Sequence, residues 1–155
     1  MKVEKEIHQL MGSDLNRFIF AGNATFTILN ESTGNRFTFR IRKAGWGSTS
    51  FNEKNDIFYI SVLTGSDNNT SFSFLGTYFN GSNKRYSYSM KSRIGIQATS
   101  NRVISWFFNS FITNPSNYAI IKIFHENKCG KCGKKLTTPE SVKSGLGPHC
   151  AGKTK

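Results

Sequence analysis

The chain has 155 residues, 14 of them Phe, with 37% apolar side chains. That is enough for one packed domain with a small appendage, and too aromatic for a disordered tail. Lys and Arg number 21 against 9 Asp and Glu, a formal charge of +12, which points to anionic partners, nucleic acid first. The 15 Asn suggest AT-rich coding, but that bias raises Lys without depleting the acids, so the charge is read as functional. No apolar run is long enough to cross a bilayer, and the opening Met1 to Ile7 lacks the apolar stretch of a secretory signal. Three Cys, an odd number confined to positions 129–150, are not a disulfide framework; they suit a metal site in a cytoplasmic protein.

In chain order, Val3, Ile7, Leu10 and Met11 fall on one helical stripe, predicting a helix over 1–11 that Gly12 ends. From about residue 17 the period becomes two. Arg17 to Phe20 and Ala24 to Leu29 read as strands, and Asn30 to Gly34 as a turn. Arg36 to Arg42 alternates most cleanly: Phe37, Phe39 and Ile41 face one way, and Arg36, Thr38, Arg40 and Arg42 the other. Residues 43–55, with Trp46 between two glycines, form a loop. Ile57 to Leu63 reads as a strand buried on both faces, and Gly65 to Asn69 as a turn. Ser71 to Phe79 is a strand with a bulge at Gly76, followed by an Asn80-Gly81 turn. Arg85 to Lys91 alternates again. The period then becomes helical over 101–112, with Ser100 or Asn101 as cap, a stripe of Val103, Ile104, Phe107, Phe108 and Phe111, and Asn114-Pro115 as the stop. Tyr118 to Phe124 is a last strand. The expected fold class is α+β: an antiparallel, partly closed sheet or small barrel with one packed helix, plus a C-terminal zinc finger. The expected domains are a β-rich core over 1–124 and a zinc-binding module over 125–155.

That module carries 8 Lys and 2 Glu over 122–155 with few apolar residues, so it needs something besides its own core to hold it. Cys129-Gly-Lys-Cys132 supplies two thiolates on one tight turn, the bite that tetrahedral zinc takes. Pro148 suits a first helical position, placing Cys150 in the first turn, where the helix dipole favours a thiolate. The expected site is one structural zinc per chain on Cys129, Cys132, Cys150 and His125, with His149 as the alternative fourth ligand. The nearest acids, Glu126 and Glu140, do not form the base-and-ligand pattern of a hydrolytic zinc.

The run Cys129-Gly-Lys-Cys-Gly-Lys-Lys-Leu-Thr-Thr-Pro-Glu-Ser141, closing on Gly145-Leu-Gly-Pro-His-Cys150, resembles a short zinc module of unknown function. That module closes many phage and phage-derived bacterial proteins. The likeness carries Thr137, Pro139, Glu140, Ser141, Gly145, Gly147 and Pro148; the residue before the last Cys varies there, which favours His125. The region upstream is similar only weakly. The resemblance implies a phage origin and a metal site but supplies no activity.

There is no phosphate loop, no pair of closely spaced carboxylates and no evident partner for His8, so the chain reads as a binder and not an enzyme. The expected partner is nucleic acid, with single-stranded DNA or RNA favoured. Its cations would be Arg36, Arg40 and Arg42, then Lys84, Arg85, Lys91 and Arg93, then Lys128, Lys131, Lys134 and Lys135. Trp46, Tyr78, Tyr86 and Tyr88 are the candidate stacking platforms. The alternative is a protein-interaction factor that binds and modulates a host protein, such as a defence nuclease or a polymerase.

Overall fold

A computed structural model of the chain describes residues 9–10, 12–45, 56–65, 71–81, 84–112, 120–126, 128–136 and 139–147. Its elements are α1 (Gly12–Ile19), β1 (Asn23–Asn30), β2 (Arg36–Lys43), β3 (Ile57–Leu63), β4 (Phe72–Phe79), β5 (Arg85–Tyr88), α2 (Thr99–Trp106), a π-helical turn (Phe107–Phe111), β6 (Ile121–His125) and α3 (Pro139–Ser144). The strands form one open antiparallel sheet in the order β5-β4-β3-β2-β1-β6. The class is α+β. The order is linear and its two end strands do not pair, so the sheet does not close into the expected barrel. No helix among the described residues is long and apolar enough to cross a membrane.

The chain divides into two compact units, Met1–Thr38 with Asn117–Lys155, and Phe39–Ser116, with β2 running from one into the other. In the first unit β6 pairs antiparallel with β1, Ile28 opposite Ile123, joining segments from both halves of the sequence. Gln9 bridges Phe124, and the Leu10 N–H donates to the Ile123 carbonyl, so these two residues lie along β6. The expected helix over 1–11 otherwise lies outside the described residues. Gly12, at φ 59°, begins α1 where the sequence reading placed a stop. Arg17 to Phe20, expected as a strand, belongs mostly to that helix. Its buried residues Leu15, Phe18 and Ile19 stand at i, i+3 and i+4, which makes one helical face.

The C-terminal segment packs in this same unit. Cys129, Leu136 and Leu146 form a small core with Ala21, and Val142 of α3 lies against it. Gly130 and Gly145 both approach the fully buried Phe18: a Cβ at Gly130 would stand 2.7 Å from the ring and one at Gly145 2.4 Å. The segment does lack the apolar residues for a core of its own. It borrows Ala21 and Phe18 from beside β1.

In the second unit β3 alternates, with Phe58, Ile60 and Val62 inward and Tyr59 47% exposed, correcting the expectation of burial on both faces. The reason is that an antiparallel sheet covers one face with helix and leaves the other to side chains alone. A bulge in β4 beside Gly76 shifts the register opposite Ile60 and Ser61, as the sequence predicts. A Cβ at Gly76 would meet the Ser87 carbonyl at 2.4 Å, so only glycine admits β5 this close. Of the expected helical stripe, Ile104, Phe107, Phe108 and Phe111 are buried and Val103 is half-buried, and Phe108 stacks on Tyr78 with ring centroids 4.3 Å apart. The cap is not. Ala98 precedes the helix without a side-chain bond, while Ser100 and Asn101 lie inside it, buried. The helix ends in a π turn closed by Ile112 N–H donating to the Phe107 carbonyl at 2.9 Å.

Candidate functional site

Two arrangements carry chemistry, one in each unit. In the second unit, cross-strand register defines the face of the sheet opposite the helix. Arg40 stands opposite Ser61 and Arg42 opposite Tyr59. Ser61 in turn opposes Phe74, Leu63 opposes Phe72, and Ile57 opposes Phe79. Phe79 opposes Arg85. Residues directly opposite share a face, so this surface alternates guanidinium and aromatic groups. No Asp or Glu occupies any of these register positions.

The contacts follow the register. The Arg40 guanidinium lies over the Phe72 ring, 4.4 Å from its centroid, and that of Arg85 over Phe79 at 4.7 Å. Tyr59 meets Phe74 edge-on at 6.4 Å. Partial burial, and then the neighbouring Arg42 charge, hold the Arg40 pKa below its ordinary value. Two like charges two residues apart on one strand face repel in the free protein, and an anion seated between them relieves that repulsion.

Of the predicted cations, Arg40, Arg42 and Arg85 thus share a face, with Lys84 exposed beside Arg85. Arg36 is exposed at the start of β2, in the part belonging to the first unit. Trp46 lies outside the described residues. Tyr78 and Tyr86 are not platforms: both are buried, Tyr78 under Phe108, and the Tyr86 hydroxyl donates to Asn101 Oδ1 at 2.7 Å. Burial raises both phenol pKa values, and for Tyr86 the neighbouring Tyr88 adds to the shift. The aromatic residues on this face are Tyr59, Phe72, Phe74 and Phe79, none of them among the candidate platforms named from the sequence.

In the first unit, the segment after β6 makes a tight hairpin. Lys128 bridges Lys135, Cys129 N–H donates to the Lys134 carbonyl at 2.8 Å, and Gly133 N–H returns to the Cys129 carbonyl at 2.9 Å. Gly133 has φ 81°, a left-handed conformation that glycine adopts without strain. The Cys129 sulfur is buried and accepts from two backbone N–H groups, Lys131 at 3.4 Å and Gly147 at 3.3 Å. Amides converging on one sulfur suit a thiolate, the form in which Cys binds a metal. Cys132 is exposed on the same hairpin. Lys131 is half-buried there, and Lys134 and Lys135 are exposed.

His125 is buried, its ring 5.9 Å from that of Phe18, and its Nε2 is engaged by the Val142 carbonyl of α3. Among the described residues, no three of His, Cys, Asp and Glu come together as a metal site. His149 and Cys150 lie outside the described residues.

Residues 124–155 match a family of unknown function, DUF6011. The match covers this C-terminal segment alone. No curated protein and no solved structure matches the chain.

Proposed function

We propose that the chain is a non-enzymatic, phage-type cytoplasmic protein that binds single-stranded DNA or RNA on the β2–β5 sheet face, with a structural zinc in its C-terminal module. The observation that carries the reading is the sharing of one face by Arg40, Arg42 and Arg85 with Tyr59, Phe72, Phe74 and Phe79, at register positions that hold no Asp or Glu. Single strands bind through phosphate neutralisation and base stacking, and this face offers groups for both. Alternate residues on a strand stand about 7 Å apart, near the phosphate spacing of an extended strand. Lys84 adds a cation beside Arg85 in the same unit, and Trp46, Arg36, Lys131, Lys134 and Lys135 are the further candidates that the sequence offers.

Zinc fits the donor set. Cys129 and Cys132 stand on one hairpin, Cys150 supplies the third thiolate, and a histidine closes the shell. His125, with Nε2 taken by the Val142 carbonyl, would bind through Nδ1, and His149 is the alternative. The metal would tie the segment together and take no part in a reaction.

The test is fluorescence anisotropy with labelled oligonucleotides across a salt series. Binding is expected at low salt and should weaken steeply towards physiological salt, with Trp46→Ala weakening single strands more than duplex. Absence of binding at low salt would overturn the proposal, and a salt-sensitive complex with an acidic protein instead would assign the face to a protein partner.

A further inference from the structure

A second feature of the Phe39–Ser116 unit lies apart from that sheet face. Between β5 and the α2/π helix is an open cleft of about 520 Å³, within the range of small-ligand sites. Arg102, Ser105, Trp106 and Asn109 line it from the helix, Tyr88 and Ile96 from the other side. Among the described residues Arg102 is the one charged group of this lining, and it is cationic. Trp106 is 40% exposed on a helix whose neighbouring Phe107, Phe108 and Phe111 are all buried. Its indole leans on Phe111, ring centroids 5.2 Å apart, and is thereby braced. Arg102 and Trp106 stand one turn apart, i and i+4, on adjacent points of one helix face.

The walls are fixed before any ligand arrives. Buried Asn101 accepts from the Tyr86 hydroxyl and donates through Nδ2 to the Ile96 carbonyl at 2.9 Å. The Tyr88 hydroxyl donates to the Ile94 carbonyl, and Tyr86 N–H reaches Asn109 Oδ1 at 3.4 Å. The bond to Asn109 ties β5 to the π turn. The π turn begins directly after Trp106, a local irregularity that recurs at functional sites.

We propose that this cleft binds one nucleotide, its base stacked on Trp106 and its phosphate held by Arg102. The same chemistry is presented by a free mononucleotide and by the phosphorylated end of a strand. The experiment titrates 5′-deoxyadenosine monophosphate into isotope-labelled full-length protein and follows the indole N–H of Trp106, assigned with Trp106→Phe. A saturable shift is expected. Arg102→Ala, at an exposed position, should weaken it about tenfold, the worth of one charge-assisted hydrogen bond. Deoxyadenosine without phosphate should be weakened as much. No shift of Trp106 up to roughly ten millimolar would overturn the proposal, and so would equal affinity for the nucleoside and nucleotide. Short oligo-dA with and without a 5′-phosphate separates the sources: tighter binding with the phosphate marks a strand end, while affinity no better than the mononucleotide marks a free nucleotide. Because the readout is one indole and a mononucleotide, it stands whether or not the sheet face binds strands.

Discussion

Adding one methyl group at Gly145 tests how the C-terminal segment is seated. At φ +76° any other residue is strained, which costs about 1 kcal/mol. The added Cβ would also stand 2.4 Å from Phe18 Cδ1 and 2.9 Å from Cε1, and Phe18 is fully buried and cannot swing away. Overpacking of this kind costs roughly 1–3 kcal/mol more, for a total near 2–4 kcal/mol in Gly145→Ala. Gly34 provides the comparison: φ is +81° and nothing lies within 4 Å of its added Cβ, so Gly34→Ala should cost about 1 kcal/mol from backbone strain alone. Urea unfolding of the full chain followed by far-ultraviolet circular dichroism measures both, and amide exchange at Phe26 and Ile28 localises the loss to the first unit. Combining Gly145→Ala with Phe18→Leu should cost less than the two changes summed, because the smaller side chain vacates the contested volume. If Gly145→Ala costs no more than Gly34→Ala, or the pair is additive, Phe18 is not the seat of this segment.

Four further outcomes follow from the same residues. Arg40→Ala with Arg42→Ala should reduce the salt slope of single-strand binding by about 1.4, taking 0.7 per lost phosphate contact, as read from anisotropy against log salt. Cys129→Ser should remove zinc from the purified protein by elemental analysis, and of His125→Ala and His149→Ala the one that loses the metal identifies the fourth ligand. Because folding raises the Tyr86 pKa, the unfolded chain gives up that proton first. Stability from this group is therefore complete below about pH 10 and falls as pH rises above it, and Tyr86→Phe should flatten that alkaline decline in urea midpoints. Asn101→Ala should cost about 1–3 kcal/mol by stranding the buried Tyr86 hydroxyl and releasing the Ile96 carbonyl, measured as a drop in melting temperature.

The strands of the second unit were legible because their alternation is strict: β2 carries its arginines on one side and Phe39 and Ile41 on the other, as read from the sequence. What failed was parity across the bulge. Ser73 faces inward opposite Val62, and with Leu75 taking the extra place the inward position passes to Tyr78 and the outward one to Phe79. One inserted residue thus exchanged a predicted platform, Tyr78, for an unpredicted one, Phe79. The Gly76 signal predicts the bulge, and carrying its parity forward would have found the exchange. Arg17 to Phe20 was misread for a different reason. Four residues satisfy both periods, and only the partners of Phe18, which are Gly130 and Gly145 from far along the chain, select the helix. In the C-terminal module the cysteine spacing was plain in the sequence, whereas the bond between His125 and Val142 depends on where α3 settles and has no local signature.

The first unit is assembled from both flanks of the sequence, while the second is one uninterrupted stretch. Thr27 bonds Glu126 across 99 positions, so the pairing of β1 with β6 must wait until the whole intervening chain has left the ribosome. The contiguous unit can collapse during that interval, and a compact intervening segment leaves less free chain in the loop that β1 and β6 must close. Folding of this chain is thereby ordered from the middle outward. Its unpaired β1 edge stays exposed until synthesis of β6, the period in which the nascent protein is most open to pairing with another copy.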